Sequence, residues 1–411
     1  MVTSLKKVAV FLKKYSIGKS SPVVCMLDIL SDNYEVDFFI QNASNSKATV
    51  LNKKTINLIE IENRKKINLF NTINQTLVYL IGNSINKKEK IKIVLIKIKK
   101  TFVSLIRAVL KKNNKIDYNN NYTCYICFDP HGYFLCKELF PNARPFYYSL
   151  ELYFKDNYFN LEYPEEVMNK ERSEINTIKG LIIQSREREM LFREEYALSD
   201  QVPTLFLPVT YLQPSSAEKS FMFRGKYNIN DGKKIALHLG GIQEYHSCIE
   251  LALAFSSIND WVLIFHGYYF GDYINKLRTA LKRNKIKNVI ISEDAFELIE
   301  DMDTILMSSD IGICWYNNVS PNLATSGKSS GKISAYLRFG LPVIVNKYNC
   351  TIEAIEQTGC GVCVDDFSEI KDAVLKIEKN YDRYSSNCRK EYDMVYWFEN
   401  YKAPILEFIR Q

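Results

Sequence analysis

The chain has 411 residues, 46% of them hydrophobic and 25% charged, with a net charge of +7. That is enough apolar sequence for two ordinary cores and excludes an intrinsically disordered chain. No run of about 18 or more apolar residues occurs, so no transmembrane helix is expected, and Met1-Val-Thr-Ser-Leu-Lys-Lys opens on no signal-peptide pattern.

In chain order, a strand is expected over 7–12, a loop over 14–22, a helix over about 23–30 and a strand over 35–40. Less regular sequence follows, with helical stretches around 66–82 and 88–112. From Lys87 to Lys115 stand ten lysines and one arginine against one glutamate, +10 in all, so the rest of the chain carries −3. Ile91, Leu95, Ile98, Phe102, Ile106 and Val109 recur at helical spacing between the lysines. Such a basic amphipathic helix lies either on an anionic membrane surface or against its own domain. No nucleic-acid motif accompanies the charge, so no nucleic-acid partner is expected.

Alternation of strand and helix resumes with a strand over 122–128, the loop Asp129-Pro-His-Gly132 and a helix beyond it. A strand over 145–148 leads to the loop Ser149-Leu-Glu151, and a strand over 180–184 to a charged helix from Arg186. Pro203, Pro208 and Pro214 punctuate the chain, and Pro214-Ser-Ser-Ala217 reads as a linker. The second half is cleaner. Strands are expected over 234–239, 261–265, 288–291, 311–315, 343–345 and 361–364. Helices are expected from about 246, over 272–284, 295–308, 351–357 and 368–378, and in a last segment reaching about 409. This alternation implies mostly parallel sheets covered on both faces.

The ten cysteines sit mostly inside apolar runs and read as buried reduced thiols, which points to the cytoplasm. Cys124 and Cys127, three apart in a strand, face opposite ways, and Cys360 and Cys363 share that problem, so no zinc site is expected.

The densest signal is Ser326-Gly-Lys-Ser-Ser-Gly-Lys-Ile-Ser-Ala-Tyr-Leu-Arg-Phe-Gly-Leu-Pro-Val-Ile344. It reads as a small-residue loop, a helix, a glycine stop and a buried strand. Backbone N–H groups of Ser329, Ser330 and Gly331 can turn toward an anion at the helix start, and Lys332 adds a full positive charge there. Gly340 suits the left-handed residue after the helix, and Pro342 prevents its resumption. A P-loop is excluded. Its first glycine would fall at Ser326 or Asn322, and Ile333 follows Lys332 where Ser or Thr is required.

Several blocks together resemble the two-domain (GT-B type) glycosyltransferases, particularly the family 4-like retaining enzymes. They are Leu237-His-Leu-Gly-Gly241, Ser309-Asp-Ile-Gly-Ile313, the 331–344 block and Gly359-Cys-Gly-Val-Cys-Val364. Phe128-Asp-Pro-His131, Tyr148-Ser-Leu-Glu151 and Ile183-Gln-Ser-Arg186 resemble acceptor-domain strand ends. The resemblance implies an α/β fold of two Rossmann-like domains facing across a cleft. Residues 1–212 would bind the acceptor and 213–390 the nucleotide sugar, with a C-terminal helix in 391–411 crossing back to the first domain. Two departures stand out. Family members carry two glutamates eight residues apart, where this chain has Gly327 and Ala335. Many also place Arg and Lys after the first glycines, where this chain has Gln243-Glu-Tyr-His-Ser-Cys248.

The expected activity is transfer of a sugar from a nucleotide-diphosphate sugar to a glycan or lipid-linked acceptor, retaining and metal-independent, in surface polysaccharide synthesis. No cofactor beyond the donor substrate is expected. Candidate donor-binding residues are Gly240, Gly241, His266, Lys328, Ser329, Ser330, Gly331 and Lys332, with His246 assisting; His238 reads as a core residue. Candidate proton acceptors or positioning groups are His131, Asp129 and Glu151. Asp301-Met-Asp303 reads as helical rather than as a metal motif. A nucleotide-sugar epimerase and a non-catalytic partner of the same fold are the alternatives.

Overall fold

A computed structural model describes residues 5–13, 20–41, 49–61, 121–154, 165–269, 271–292 and 302–411. The helices expected over 66–82 and 88–112, the basic segment 87–115 and the first part of the helix expected over 295–308 lie outside the described residues.

The first sheet comprises β1 (Lys7–Lys13), β2 (Glu35–Gln41), β3 (Ile56–Ile61), β4 (Cys124–Phe128), β5 (Phe146–Tyr148), β6 (Gly180–Ile183) and β7 (Thr204–Phe206). The order is β3-β2-β1-β4-β5-β6-β7, and every pair is parallel. A parallel sheet is buried on both faces, so its inner strands read as continuous apolar runs. In β1, Val8, Val10 and Leu12 enter one core, with α1 (Ser21–Asn33), while Ala9 and Phe11 enter the other, with α2 (Asp129–Leu139). Cys124 and Cys127 likewise divide between the two cores. α3 (Glu165–Glu174) and α4 (Arg186–Tyr196) follow β5 and β6.

The second sheet comprises β8 (Lys234–Leu239), β9 (Trp261–His266), β10 (Val289–Ser292), β11 (Ile311–Cys314), β12 (Val343–Asn346) and β13 (Gly361–Val364). Its order is β10-β9-β8-β11-β12-β13, again with every pair parallel. Its helices are α5 (Met222–Tyr227), α6 (Cys248–Phe255), α7 (Tyr273–Arg283), α8 (Met302–Met307), α9 (Pro321–Ala324), α10 (Gly331–Arg338), α11 (Ile370–Lys379) and α12 (Tyr381–Glu391). In each sheet the strand order reverses at one point, between β1 and β4 and between β8 and β11. Ligands in open α/β sheets bind outside the carboxyl ends of the strands at such points.

After α12 the chain returns to the first sheet. Trp397 bridges to Tyr211, and α13 (Lys402–Arg410) sends Ile405, Phe408 and Ile409 into the core that holds β1 and β4. The Phe408 ring lies 5.2 Å from that of Phe146. A Cβ on Gly180 would stand 2.7 Å from Phe408, so this glycine makes room for the ring.

Four expectations change. β3 is an edge strand with mostly uncovered side chains, so no apolar alternation announced it. β7 lies between Pro203 and Pro208 on the opposite edge, where proline is tolerated. The helix after β4 begins at Asp129 itself, with Pro130 in its first turn, so Asp129-Pro-His-Gly132 is helix rather than loop. Cys360 precedes β13, so it shares one core with Cys363 instead of facing away. All ten cysteines are free thiols.

Candidate functional site

The site forms where the β8 and β11 ends meet the start of α10. Ser330 is the N-cap of α10, its Oγ accepting from the Ile333 N–H at 3.2 Å. The Tyr316 hydroxyl, just beyond β11, holds the same Oγ at 2.6 Å. With Ile333 N–H capped, the helix start presents the N–H groups of Gly331 and Lys332, which have no acceptor within the helix. Tyr336 fixes the helix against the sheet, its hydroxyl donating to Leu237 O and accepting from Leu239 N, both at 2.8 Å. Gly340, at φ +64°, closes the helix as the motif requires.

Lys332 projects from this start toward the β8 turn. Its Nζ lies 3.2 Å from His246 Nε2 and 5.0 Å from the centre of the Tyr316 ring. A Cβ on Gly240 would stand 3.1 Å from Lys332 Cε, and Gly240 has φ +108°, so both space and backbone select glycine. No carboxylate lies within ion-pair distance of Lys332 among the described residues. Burial pushes its ammonium down to about 8, against the weaker pull of the Cys314 and Cys248 thiols.

His246 is buried, and its Nδ1 lies 2.7 Å from Trp315 O. A carbonyl only accepts, so Nδ1 carries the proton and Nε2 offers its lone pair to the Lys332 ammonium. Burial, together with Lys332 and His238, holds His246 well below the usual histidine range. His238 lies beneath, its Nε2 bonded to Gly241 O at 3.1 Å, and burial takes it down to about 3. Two neutral histidines thus brace the turn and the lysine without adding charge.

In the turn itself, Gly240 N–H donates to His266 O and Ile242 N–H to Tyr268 O, each at 2.8 Å. The Gly241 N–H between them has no acceptor among the described residues. Gly267, at φ +152°, lets the β9 turn lie directly on the Gly240 backbone, where any Cβ would overlap it. One N–H, a helix start and an uncompensated ammonium therefore lie at the same strand ends, an arrangement chemically suited to an anion such as phosphate.

The comparisons bear on this geometry. Residues 277–395, which include α10, match the family model of the glucosyltransferase 3-like C-terminal domain, over less than half of the chain. No curated protein sequence matches the chain. Solved structures match along its whole length. Sucrose-phosphate synthase from Thermosynechococcus elongatus has 12% identity and a TM-score of 0.68, covering 99% of this chain and 98% of its own. HepE of Anabaena, in complex with UDP and glucose, has 12% identity and a TM-score of 0.66, covering 98% of each chain. A glycosyltransferase from Rickettsia africae has 13% identity and a TM-score of 0.64, covering 99% and 98%.

The chain has the GT-B glycosyltransferase fold.

In this GT-B chain the first domain supplies the facing wall. Asn322, after β11, pairs with the Leu152 backbone after β5: Leu152 N donates to Asn322 Oδ1 at 2.6 Å, and Asn322 Nδ2 donates to Leu152 O at 2.9 Å. The carboxyl ends of the two sheets therefore face each other. Arg188, in the first turn of α4 and 1% exposed, crosses the same gap. Its Nη1 donates to Ser329 Oγ at 3.2 Å and Thr325 Oγ1 at 3.4 Å, and its Nη2 to Leu150 O and Asn322 Oδ1, both at 3.1 Å. Glu151 is exposed, in the loop after β5. Desolvation by the surrounding protein raises its carboxyl above the usual range, with Arg188 opposing.

The fold brings together Gly240, Gly241, Ser330, Gly331 and Lys332, with His246 between them. It gives other candidates different tasks. Lys328 is exposed and near Glu391, whose carboxyl is raised by burial with Lys328 opposing, while the Lys328 carbonyl accepts from Val209 N at 3.0 Å, so its charge belongs to the interdomain junction. Ser329 Oγ is held by Arg188 and donates to Thr325 O at 3.1 Å. His266 is buried behind the turn, its Nδ1 at 2.8 Å from Ser292 Oγ, and burial takes it down to about 4. It contributes its carbonyl to the turn rather than its ring. Asp129 is buried, with its Oδ1 accepting from Leu150 N at 2.7 Å and Glu151 N at 3.3 Å, so it anchors the loop bearing Glu151. His131 is half-buried in the first turn of α2, beyond β4. Sequence reasoning passed over Tyr316, Asn322 and Arg188. Nothing in the charged run of α4 distinguishes Arg188 from Arg186 or Arg193.

Proposed function

We propose that this chain is a metal-independent, retaining glycosyltransferase acting at the cytoplasmic face of a membrane. It would move a sugar from a nucleotide-diphosphate sugar to a glycan or lipid-linked acceptor in surface polysaccharide synthesis, O-antigen or capsule. The observation that carries the reading is the unpaired Lys332 ammonium beside Gly240, Gly241 and the start of α10. In the reaction the bond from sugar C1 to the phosphate oxygen breaks and its electron pair stays on the diphosphate. A new C1–O bond forms to an acceptor hydroxyl, whose proton must be taken up. Lys332, the Gly241 N–H and the helix start would stabilise the growing phosphate charge. Glu151, whose carboxyl is raised, or His131, in the first turn of α2, would take up the proton. The Anabaena neighbour holds UDP and glucose, which supports a nucleotide-sugar donor.

The test is a thermal-shift titration with nucleoside diphosphates on the native chain and on Lys332→Ala. A ligand at about 100 times its Kd stabilises a fold by about 2.7 kcal/mol. Stabilisation by one diphosphate that disappears in the variant supports the donor site; no stabilisation by any sinks it. Transfer insensitive to EDTA supports metal independence. Loss of liposome binding on replacing the lysines of 87–115 supports membrane association.

A second reading, a non-catalytic partner retaining this fold, is favoured by one observation. An added Cβ on Gly327 would stand 2.5 Å from Cys350 O, and Ala335 is 1% exposed in an apolar core. The positions of the two family glutamates are closed rather than merely substituted. Diphosphate binding without transfer to any acceptor would select this reading. Product formed without an acceptor would select an epimerase.

A further inference from the structure

We propose that Arg188 is a positioning residue that makes the donor loop depend on the first domain, so that donor capture and cleft closure are one event. The proposal rests on the donor-site reading above. Arg188 belongs to the first domain, yet two of its four hydrogen bonds reach Thr325 and Ser329, and a third reaches Asn322. All three lie in the short stretch that leads into the Ser330 N-cap. The fourth bond returns to Leu150 O, beside Glu151. One planar fork therefore fixes the donor loop of the second domain and the acceptor-side loop of the first in a single geometry.

The energetics favour a dedicated role. A guanidinium this buried ordinarily faces a carboxylate, because burying an unpaired charge is costly. Arg188 bonds only neutral oxygens, and its Nε has no partner. Glu151 and Asp129 attract it from a longer range. An apolar side chain would fill the same space at lower cost. What it could not do is hold four acceptors on two domains at once. Asn322 completes the latch through its paired bonds to Leu152.

The experiment is calorimetric titration of UDP, and of GDP in parallel, into the native chain, Arg188→Lys, Asn322→Ala and the double variant, with melting temperatures and small-angle X-ray scattering for each. Lysine keeps the charge and loses the fork. The expected result is at least a tenfold loss of diphosphate affinity in each single variant and no further loss in the double. The scattering radius should widen relative to the native chain. Native affinity with lowered melting temperatures would reduce Arg188 to packing and overturn the proposal, as would losses that simply multiply in the double variant. If the native chain binds neither diphosphate, the donor reading fails by itself. The latch is then judged by scattering alone: wider variants sustain it, and curves superposing on the native one overturn it.

Discussion

Lys332 Nζ stands 3.2 Å from His246 Nε2, and the histidine is held neutral by its burial and by Lys332 itself, while its Nδ1–H bond to Trp315 O fixes the ring. The lysine is thus oriented by a neutral group and left without an anion, the condition in which a phosphate gains most from binding. Lys332→Met should weaken nucleoside diphosphate binding by roughly 10- to 100-fold, since a charge-assisted hydrogen bond is worth about 1.5–3 kcal/mol. The melting temperature should hold or rise, because the variant removes an unpaired half-buried charge. Calorimetry and a thermal scan report the two effects separately; unchanged affinity would remove Lys332 from the site.

Diphosphate affinity should also depend on pH with a definite sign. In the free protein the ammonium titrates at about 8 rather than 10.5. Binding needs the protonated form, so affinity should be flat below about pH 7 and fall as pH rises through 8. The ligand-free fold should show the opposite trend: its penalty for the charged lysine is fully present below about 8 and is relieved between 8 and 10.5. Titrations from pH 6.5 to 9.5 on the native chain and on Lys332→Met test this, the variant profile losing the inflection. A native profile with no inflection near 8 would contradict the assignment.

Gly240→Ala places a side chain at φ +108° and against Lys332 Cε. Backbone strain of this kind costs about 1–3 kcal/mol. Urea unfolding should reveal that loss, and diphosphate affinity should drop with it as the lysine is pushed aside. An alanine variant as stable and as tight-binding as the native chain would show that the turn has more freedom than described.

Phe408→Ala should cost about 3–5 kcal/mol, the range for truncating a buried aromatic ring. Its ring fills the space left by Gly180 and packs on Phe146, both at the amino ends of first-sheet strands. The damage should appear in denaturant unfolding of the first domain, with diphosphate affinity nearly native at low temperature. Equal loss in both readouts would mean that the last helix also sets the cleft.

Much of the fold was readable because β1, β8, β9 and β12 are inner strands with both faces covered, and such strands leave unbroken apolar runs. β3 and β7 left no such trace, being edge strands with uncovered or proline-flanked residues. Lys332 was readable for a local reason: its helix cap, its glycine stop and its charge lie within a dozen residues. Arg188 was not, since its meaning depends on Ser329, 141 positions away in sequence. Asp129 and His266 misled for a related reason. Each stands at a strand end, where function concentrates, but only packing decides whether the ring or carboxylate turns to the cleft or to the neighbouring backbone.

The return of α13 to the first sheet has a consequence for synthesis. Phe398, Ile405, Phe408 and Ile409 belong to the same core as Val8 and Ile126. The opening half of the chain therefore leaves the ribosome with an apolar groove that its own residues do not fill. More than two hundred residues separate Gly180 from Phe408, and at typical elongation rates that wait is on the order of ten seconds or more. During that interval the half-made protein exposes apolar surface of the kind that is prone to aggregation. The second domain would reach its native shape before the first one does, reversing the order in which the two are translated.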